Sequence, residues 1–283
     1  MMNRTNILEH IVSYKKEEIE KRKRVVPVSQ LEKQAGFDRE IFSMKKFITD
    51  PELTGIIAEY KKKSPSKGII NNHSSVEEVT SAYALHGASV ISVLTDAESF
   101  GGSSEDLVKA RFNPLPLLRK DFILDPYQLI ESRAMGADVV LLIAACLSPA
   151  QTRSLATAAA QLGLEVLLEI HDQKELSHLC DEIDVIGINN RDLKTFTVNI
   201  DHSIQLAEQL PSNKLRIAES GIRDVETLLL LQKAGFDGFL IGEQFMKSVD
   251  PAIAFASFVD QLKIKLYESK SLRNDATRSG QKT

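Results

Sequence analysis

From about residue 55 the chain alternates between short apolar, β-branched runs and longer helix-like segments. The apolar runs fall at 55–60, 89–94, 116–119, 138–144, 165–170, 184–189, 214–218 and 238–241. Several, such as VVLLIAA and VIGINN, are apolar at nearly every position. That is the pattern of strands buried on both faces, as in a parallel sheet. Helix-start signals lie between them. Ser75-Val76-Glu77-Glu78 offers a cap, and Asp125-Pro126 and Ser148-Pro149 put proline at the first helical position. Three junctions repeat one phrase: HGASV at 86–90, MGADVV at 135–140 and AGFDGF at 234–239. Glycine there fits a left-handed helix end before the next strand.

The count is eight strands, each followed by a helix, the last at 252–266. Parallel strands need crossovers, and these are right-handed almost without exception. Eight βα units over roughly 210–220 residues predict an α/β fold of the closed (β/α)8 TIM-barrel type, somewhat under its usual ~250. The rival is an open doubly wound sheet. It has fewer strands and a glycine-rich first turn, and no G-x-G-x-x-G occurs here. The expected organisation is an N-terminal helical extension packing on the barrel at 1–50, the barrel at 51–267, and a polar, disordered tail at 268–283. The first helix of the extension carries an apolar stripe at Ile7, Ile11, Tyr14 and Ile19, and residues 1–50 together are expected to fold against the barrel and help cover its mouth.

Composition narrows the function classes. Apolar residues make up 43% and charged residues 26%, ordinary for a globular protein. A net charge of −4 gives no basic field for nucleic acid or membrane surfaces. No apolar run reaches the roughly 18–20 residues of a membrane span, and the N-terminus lacks the apolar centre of a secretion signal. Cys146 and Cys180 cannot build a disulfide framework, and both are expected as reduced thiols of a cytoplasmic protein. Six scattered histidines lack zinc-site spacing, so no metal is expected.

In such a barrel the functional groups sit at the C-terminal strand ends. Strand 1 delivers Glu59 and Lys61, strand 2 Thr95-Asp96, strand 3 Lys120-Asp121 and strand 5 Glu169. Strand 6 delivers Asn189, Asn190 and Arg191, strand 7 Glu219-Ser220-Gly221, and strand 8 Gly242-Glu243. Strand 4 ends in Ala144-Ala145-Cys146, which is chemically quiet. One buried charge is most simply a structural ion pair, but a ring of them around one mouth reads as a site. The glycine turns after strands 7 and 8 lie where this fold binds phosphate. Lysines serve as acids and anion clamps, and nearby positive charge would bring a lysine pKa toward working pH. Lys62 should point away from Lys61 and act as a surface charge.

The motifs AEYKKKSPSKG, LLRKDFILD, LLEIHD, IGINNRDLKTF, IAESGI and FLIGEQFM occur in that order. Together they resemble the indole-3-glycerol phosphate synthases of tryptophan biosynthesis, over about residues 5–262. The resemblance implies ring closure, decarboxylation and dehydration of an anthranilate-derived aminodeoxyribulose phosphate, without metal or organic cofactor. It implies Lys120 as general acid, Lys61 on the substrate carboxylate and Glu169 in dehydration. Glu59, Asn189, Arg191, Glu219 and Ser220 match polar residues around the reacting portion. Gly221, Gly242 and Glu243 match a phosphate cradle with Ser64 nearby. Phe100, Phe122 and Leu193 fall where the family packs the aromatic ring, and Leu240 joins the substrate-binding set. Two departures stand out: Gln244-Phe245 after strand 8, and two prolines in ARFNPLPLL before strand 3. The implied partners are a phosphorylated small molecule and, as candidates, other tryptophan-pathway enzymes, with a monomer and neither nucleic acid nor membrane. A Schiff-base aldolase with Lys120 as nucleophile and a non-catalytic phosphate-binding barrel are the competing readings.

Overall fold

The computed structural model describes residues 7–65, 67–192 and 197–279. Eight parallel strands close into a barrel: β1 (Ile56–Tyr60), β2 (Val90–Leu94), β3 (Leu117–Lys120), β4 (Val139–Ile143), β5 (Glu165–Ile170), β6 (Val185–Asn189), β7 (Leu215–Glu219) and β8 (Gly238–Ile241). Each pairs with its sequence neighbours, and β1 closes on β8 through Ile57 opposite Leu240. This is the (β/α)8 TIM barrel. The helix starts follow the capping chemistry of the sequence. Ser75 accepts from the backbone of Glu78, while Asp125 and Ser148 form capping boxes with Gln128 and Gln151.

Strand alternation sorts the core into two shells. Ile56, Ala58, Ile91, Val93, Val140 and Leu142 face outward onto helix residues such as Val79, Tyr83 and Leu107. Ile57, Val90, Leu118, Val139, Leu167, Val185 and Ile217 fill the barrel interior. Burying each such side chain contributes roughly 1.5–3 kcal/mol. The same alternation carries on to the strand ends, so the residue two beyond an interior one projects into the mouth.

Two features differ from the sequence pattern. After β5 the chain makes only a 3-10 turn, Gln173–His178, rather than a full helix. The last helix, Pro251–Ser279, continues past residue 267, where the sequence reading places a disordered tail. Tyr267, just before this stretch, is 76% exposed. Residues 268–279 contain no glycine or proline, and the helix runs through them without interruption. Among the described residues no helix is long and apolar enough to cross a membrane.

The N-terminal extension divides between the two ends of the barrel. Its first helix, α1 (Ile7–Val25), lies at the mouth, where Leu8, Ile11 and Val12 line the central cavity. The short helix Met44–Ile48 instead seals the opposite end, with Met44 and Ile48 packed into the interior shell. There Ser43 donates to Glu165 at 2.6 Å and Lys45 pairs with Asp184. Only the first part of the extension therefore covers the mouth.

Candidate active site

A cavity of about 1440 Å³ opens at the C-terminal end of the barrel. One layer of interior positions forms its floor: Glu59 from β1, Lys120 from β3, Glu169 from β5, Asn189 from β6, Glu219 from β7 and Gly242 just after β8. Lys120 and Glu219 are the last residues of their strands, one position further inside the sheet than the sequence pattern gives.

The Lys120 ammonium donates to Glu219 at 2.6 Å and to Glu169 at 3.0 Å. Asn189 Nδ2 donates to the other Glu169 oxygen at 3.0 Å, and Lys61 donates to Glu59 at 2.5 Å. Burial opposes the charge on Lys120, yet Glu169, Glu219 and Glu59 outweigh it and hold the ammonium well above the ordinary lysine range. This corrects the sequence expectation of a lysine lowered by neighbouring cations, because the nearest charges are carboxylates. Burial likewise opposes charge on Glu169, but Lys120, His171 and Asn189 keep it well below its usual range. Glu219 goes the other way. Burial, helped by Glu169 and Glu59, raises it to about 7 against the pull of Lys120. Two carboxylates thus share one ammonium, with one ionised and the other poised near neutrality.

The aromatic wall comes from Phe100 and Phe122, whose ring centres lie 6.2 Å apart, with Leu240 also lining the cavity. The polar rim contains Ser64, Arg191, Ser220, Gly221, Gly242 and Glu243. Ser220 and Gly221 both adopt left-handed backbone, φ 67° and 76°. Turns can align successive backbone N–H groups into an anion-binding concavity, and a non-glycine held at positive φ is the kind of strained residue that clusters at functional sites. Asn190 secures it by donating to the Ser220 carbonyl at 2.7 Å. Glu243 pairs with Lys67 at 2.5 Å and lies 3.5 Å from Arg191. Leu193 lies outside the described residues.

Other charged residues of the strand ends have structural partners. Asp96 and Asp121 receive the buried ammonium of Lys15 from α1 at 2.8 and 3.0 Å. Lys62 pairs with Asp106 at 2.6 Å on the outer side. Cys146 lines the cavity, but burial and nearby carboxylates push its thiol up to about 12, so it stays protonated.

Three residues that sequence reasoning passed over shape the floor. His171 and Glu175 line the cavity beside Glu169. His171 follows Glu169 by two in LLEIHD, so strand alternation was the available signal. Gly187 is the third: a Cβ there would stand 2.0 Å from Glu219 Oε1. Only glycine leaves room for that carboxyl group. Gly187→Ala is therefore expected to displace Glu219 and lower kcat by at least tenfold. Steady-state rates beside a thermal melt check this, and unchanged kcat would show that the Glu219 position is immaterial. Gly242 has a comparable constraint, since a Cβ would lie 2.5 Å from Glu59 Oε1. A substitution at Gly242 would disturb Glu59 as well as any bound phosphate.

A sequence-family model described as Indole-3-glycerol phosphate synthase matches residues 8–258. The indole-3-glycerol phosphate synthase of Bacteroides thetaiotaomicron is 44% identical over 255 residues, covering 90% of this chain and 98% of that protein. That of Salinibacter ruber is 43% identical over 255 residues, covering 89% and 94%. Among solved structures, a 3-hexulose-6-phosphate synthase superposes with a TM-score of 0.56 at 13% identity, over 74% of this chain and 98% of that one. The last similarity concerns the fold alone.

Proposed function

The chain belongs to the indole-3-glycerol phosphate synthase family, and from that premise we propose that the ring of charges around Lys120 carries the family's ring closure. The enzyme is a carboxy-lyase. It converts 1-(2-carboxyphenylamino)-1-deoxy-D-ribulose 5-phosphate to indole-3-glycerol phosphate, carbon dioxide and water. The observation that carries the residue assignments is Lys120 held between Glu169 and Glu219 on the cavity floor.

The substrate phosphate sits at the Ser220-Gly221 and Gly242-Glu243 turns with Ser64 at the rim. Ser220, as part of the first turn, and Arg191, 3.5 Å from Glu243, go with the phosphate rather than with the reacting portion to which the resemblance alone assigns them. The aromatic ring packs against Phe100, Phe122 and Leu240. Lys61, steadied by Glu59, meets the ring carboxylate and fixes its approach to the ketone. As the ring carbon attacks the ketone, the oxygen becomes an alkoxide, and Lys120 donates its proton there. Carbon dioxide then leaves with its bonding electrons returned to the ring system. Once Lys120 is neutral, Glu169 and Glu219 lose their shared counter-charge and both become stronger bases. Glu169 then takes the proton released from carbon in dehydration, while Lys61, freed of the departed carboxylate, donates a proton to the leaving hydroxyl, which departs as water. One residue thus supplies the acid and, by giving up its charge, prepares the base. A lysine held this firmly as ammonium is poorly suited to Schiff-base attack, which needs the neutral amine.

The purified chain mixed with the substrate should give the fluorescence of the indole product with one carbon dioxide per turnover. Absence of both would contradict the reading. Arg191→Met should raise KM by at least tenfold with little change in kcat, because it removes binding charge away from the reacting atoms. An unchanged KM would take Arg191 out of the phosphate site.

A further inference from the structure

Beside the acid–base floor lies a group that takes no part in the proton transfers of the proposed reaction. The His171 ring is wedged between two carboxylates, with Nε2 3.3 Å from Glu169 and Nδ1 3.5 Å from Glu175. Both nitrogens are shielded from solvent, and neither makes a hydrogen bond of good geometry among the described residues. Acceptors on both sides leave no place for a bare ring nitrogen, so the ring that fits carries a proton on each.

The surroundings are built to hold it there. Asp172 caps the 3-10 turn Gln173–His178, which brings Glu175 back beneath the ring. Glu175 Oε2 also accepts from the His171 backbone N–H at 2.6 Å. On the far side, His202 from the helix Ile200–Ala207 reaches the His171 carbonyl at 3.1 Å. The groups facing this cluster from the other elements are Lys120 from β3, the Cys146 thiol after β4, Asn189 from β6 and Glu219 from β7. Of these only Lys120 is cationic, and in the proposed reaction it gives its proton away. Burial disfavours a charged ring, but Glu169 and Glu175 overcome it and raise His171 to about 10.

We propose that His171 is a positioning residue for Glu169: an imidazolium clamped by Glu175 that aims the Glu169 carboxylate across the floor and keeps it ionised when Lys120 is discharged. The inference rests on the reading of Glu169 as the base of dehydration. It adds that Glu169 has two counter-charges, one spent in the reaction and one permanent. Glu175 is then the partner that keeps the permanent charge in place, although it never touches substrate.

Two measurements on the full-length enzyme test this. In the resting protein, ¹⁵N shifts of the His171 ring should show imidazolium through pH 8, and Glu175→Gln should move its titration down toward the ordinary histidine range. In turnover, His171→Gln should shift the acid limb of kcat upward by about one pH unit, a tenfold loss on the acid side, with KM within about twofold. A neutral ring at pH 8, or a His171→Gln profile that superimposes on wild type, would overturn the proposal. Glu169→Gln serves as the control. If it keeps wild-type kcat, the role given to Glu169 has failed, whereas a dead Glu169→Gln beside an unshifted His171→Gln sinks only the role of His171. Should His171→Gln not fold, the ring titration in wild type and in Glu175→Gln still decides.

Discussion

Lys120→Met will lower kcat by roughly 10²–10⁴, the contribution expected of a positioned general acid, and leave KM within a few-fold. The ammonium is the group on the cavity floor that bridges two carboxylates, at 2.6 Å from Glu219 and 3.0 Å from Glu169. Methionine matches its length but has no proton to give. Phosphate and carboxylate contacts come from other elements and stay in place, so binding persists. The fold survives because Glu219, already raised to about 7, takes up a proton when the cation is lost. Lys61→Met, in contrast, should change KM and kcat together, since Lys61 both binds and aligns. The check is kcat per active site beside a thermal melt. A near-normal kcat in folded Lys120→Met would make the lysine a structural counter-ion only.

Lys15→Met should cost about 3–5 kcal/mol of stability, as expected when one partner of a buried ion pair is removed. Lys15 is only 1% exposed, and its ammonium lies 2.8 Å from Asp96, 3.0 Å from Asp121 and 2.8 Å from Glu18. Tyr14 adds a 2.7 Å bond to Asp96, and Arg119 reaches Asp121 at 3.0 Å. Together these tie α1 to the ends of β2 and β3, next to Lys120 and Phe122. Burial favours the neutral acid at Asp121, but Arg119 and Lys15 win and depress it to about 2. A depressed carboxyl stabilises the fold above its unfolded value of 3.8, and that contribution is lost as pH falls toward 2. Lys15→Met should therefore also move acid unfolding to higher pH. Denaturant melts at pH 7 and pH 3 measure both effects. The double change Lys15→Met with Asp96→Asn should recover part of the loss, because it removes a stranded charge. Stability equal to wild type would show that the network contributes nothing net.

The barrel was legible because its signals are local. Runs such as VVLLIAA and the recurring glycine junctions depend on burial and backbone geometry within a few residues. The charged ring was legible for the same reason: alternation carries Glu59, Lys120, Glu169, Asn189 and Glu219 inward once the strands are placed. Distances between strands were not legible. Nothing near Lys15 in sequence announces Asp96 and Asp121, which lie 81 and 106 positions away. The sign of the Lys120 perturbation failed similarly, because its neighbours along the chain, Arg119 and Asp121, are not the carboxylates that surround it in space. Gly187 reads as an unremarkable residue of VIGIN until Glu219 is seen occupying the volume a side chain would need. Residues 1–50 read as one covering segment, yet Met44–Ile48 plugs the end of the barrel opposite the mouth. Removing residues 1–45 would thus open both ends at once, and removing α1 alone is the cleaner probe of the mouth.

The central claim is that Lys120, Glu169 and Glu219 share protons as one unit, so that the acid step prepares the base. Its most direct test is a ¹³C titration of the Glu219 carboxyl in the resting enzyme. The Glu219 Oε1 atom is buried and has no hydrogen-bond partner among the described residues, as fits a carboxyl near its protonation point. A carboxyl raised from 4.5 to about 7 contributes stability that is fully present below 4.5 and lost as pH rises through 7. Glu219→Gln should accordingly flatten the pH dependence of stability across that window. The Glu219 midpoint should lie near pH 7 in wild type and move higher in Lys120→Met. A midpoint in the ordinary range near 4.5, unmoved by Lys120→Met, would contradict the claim.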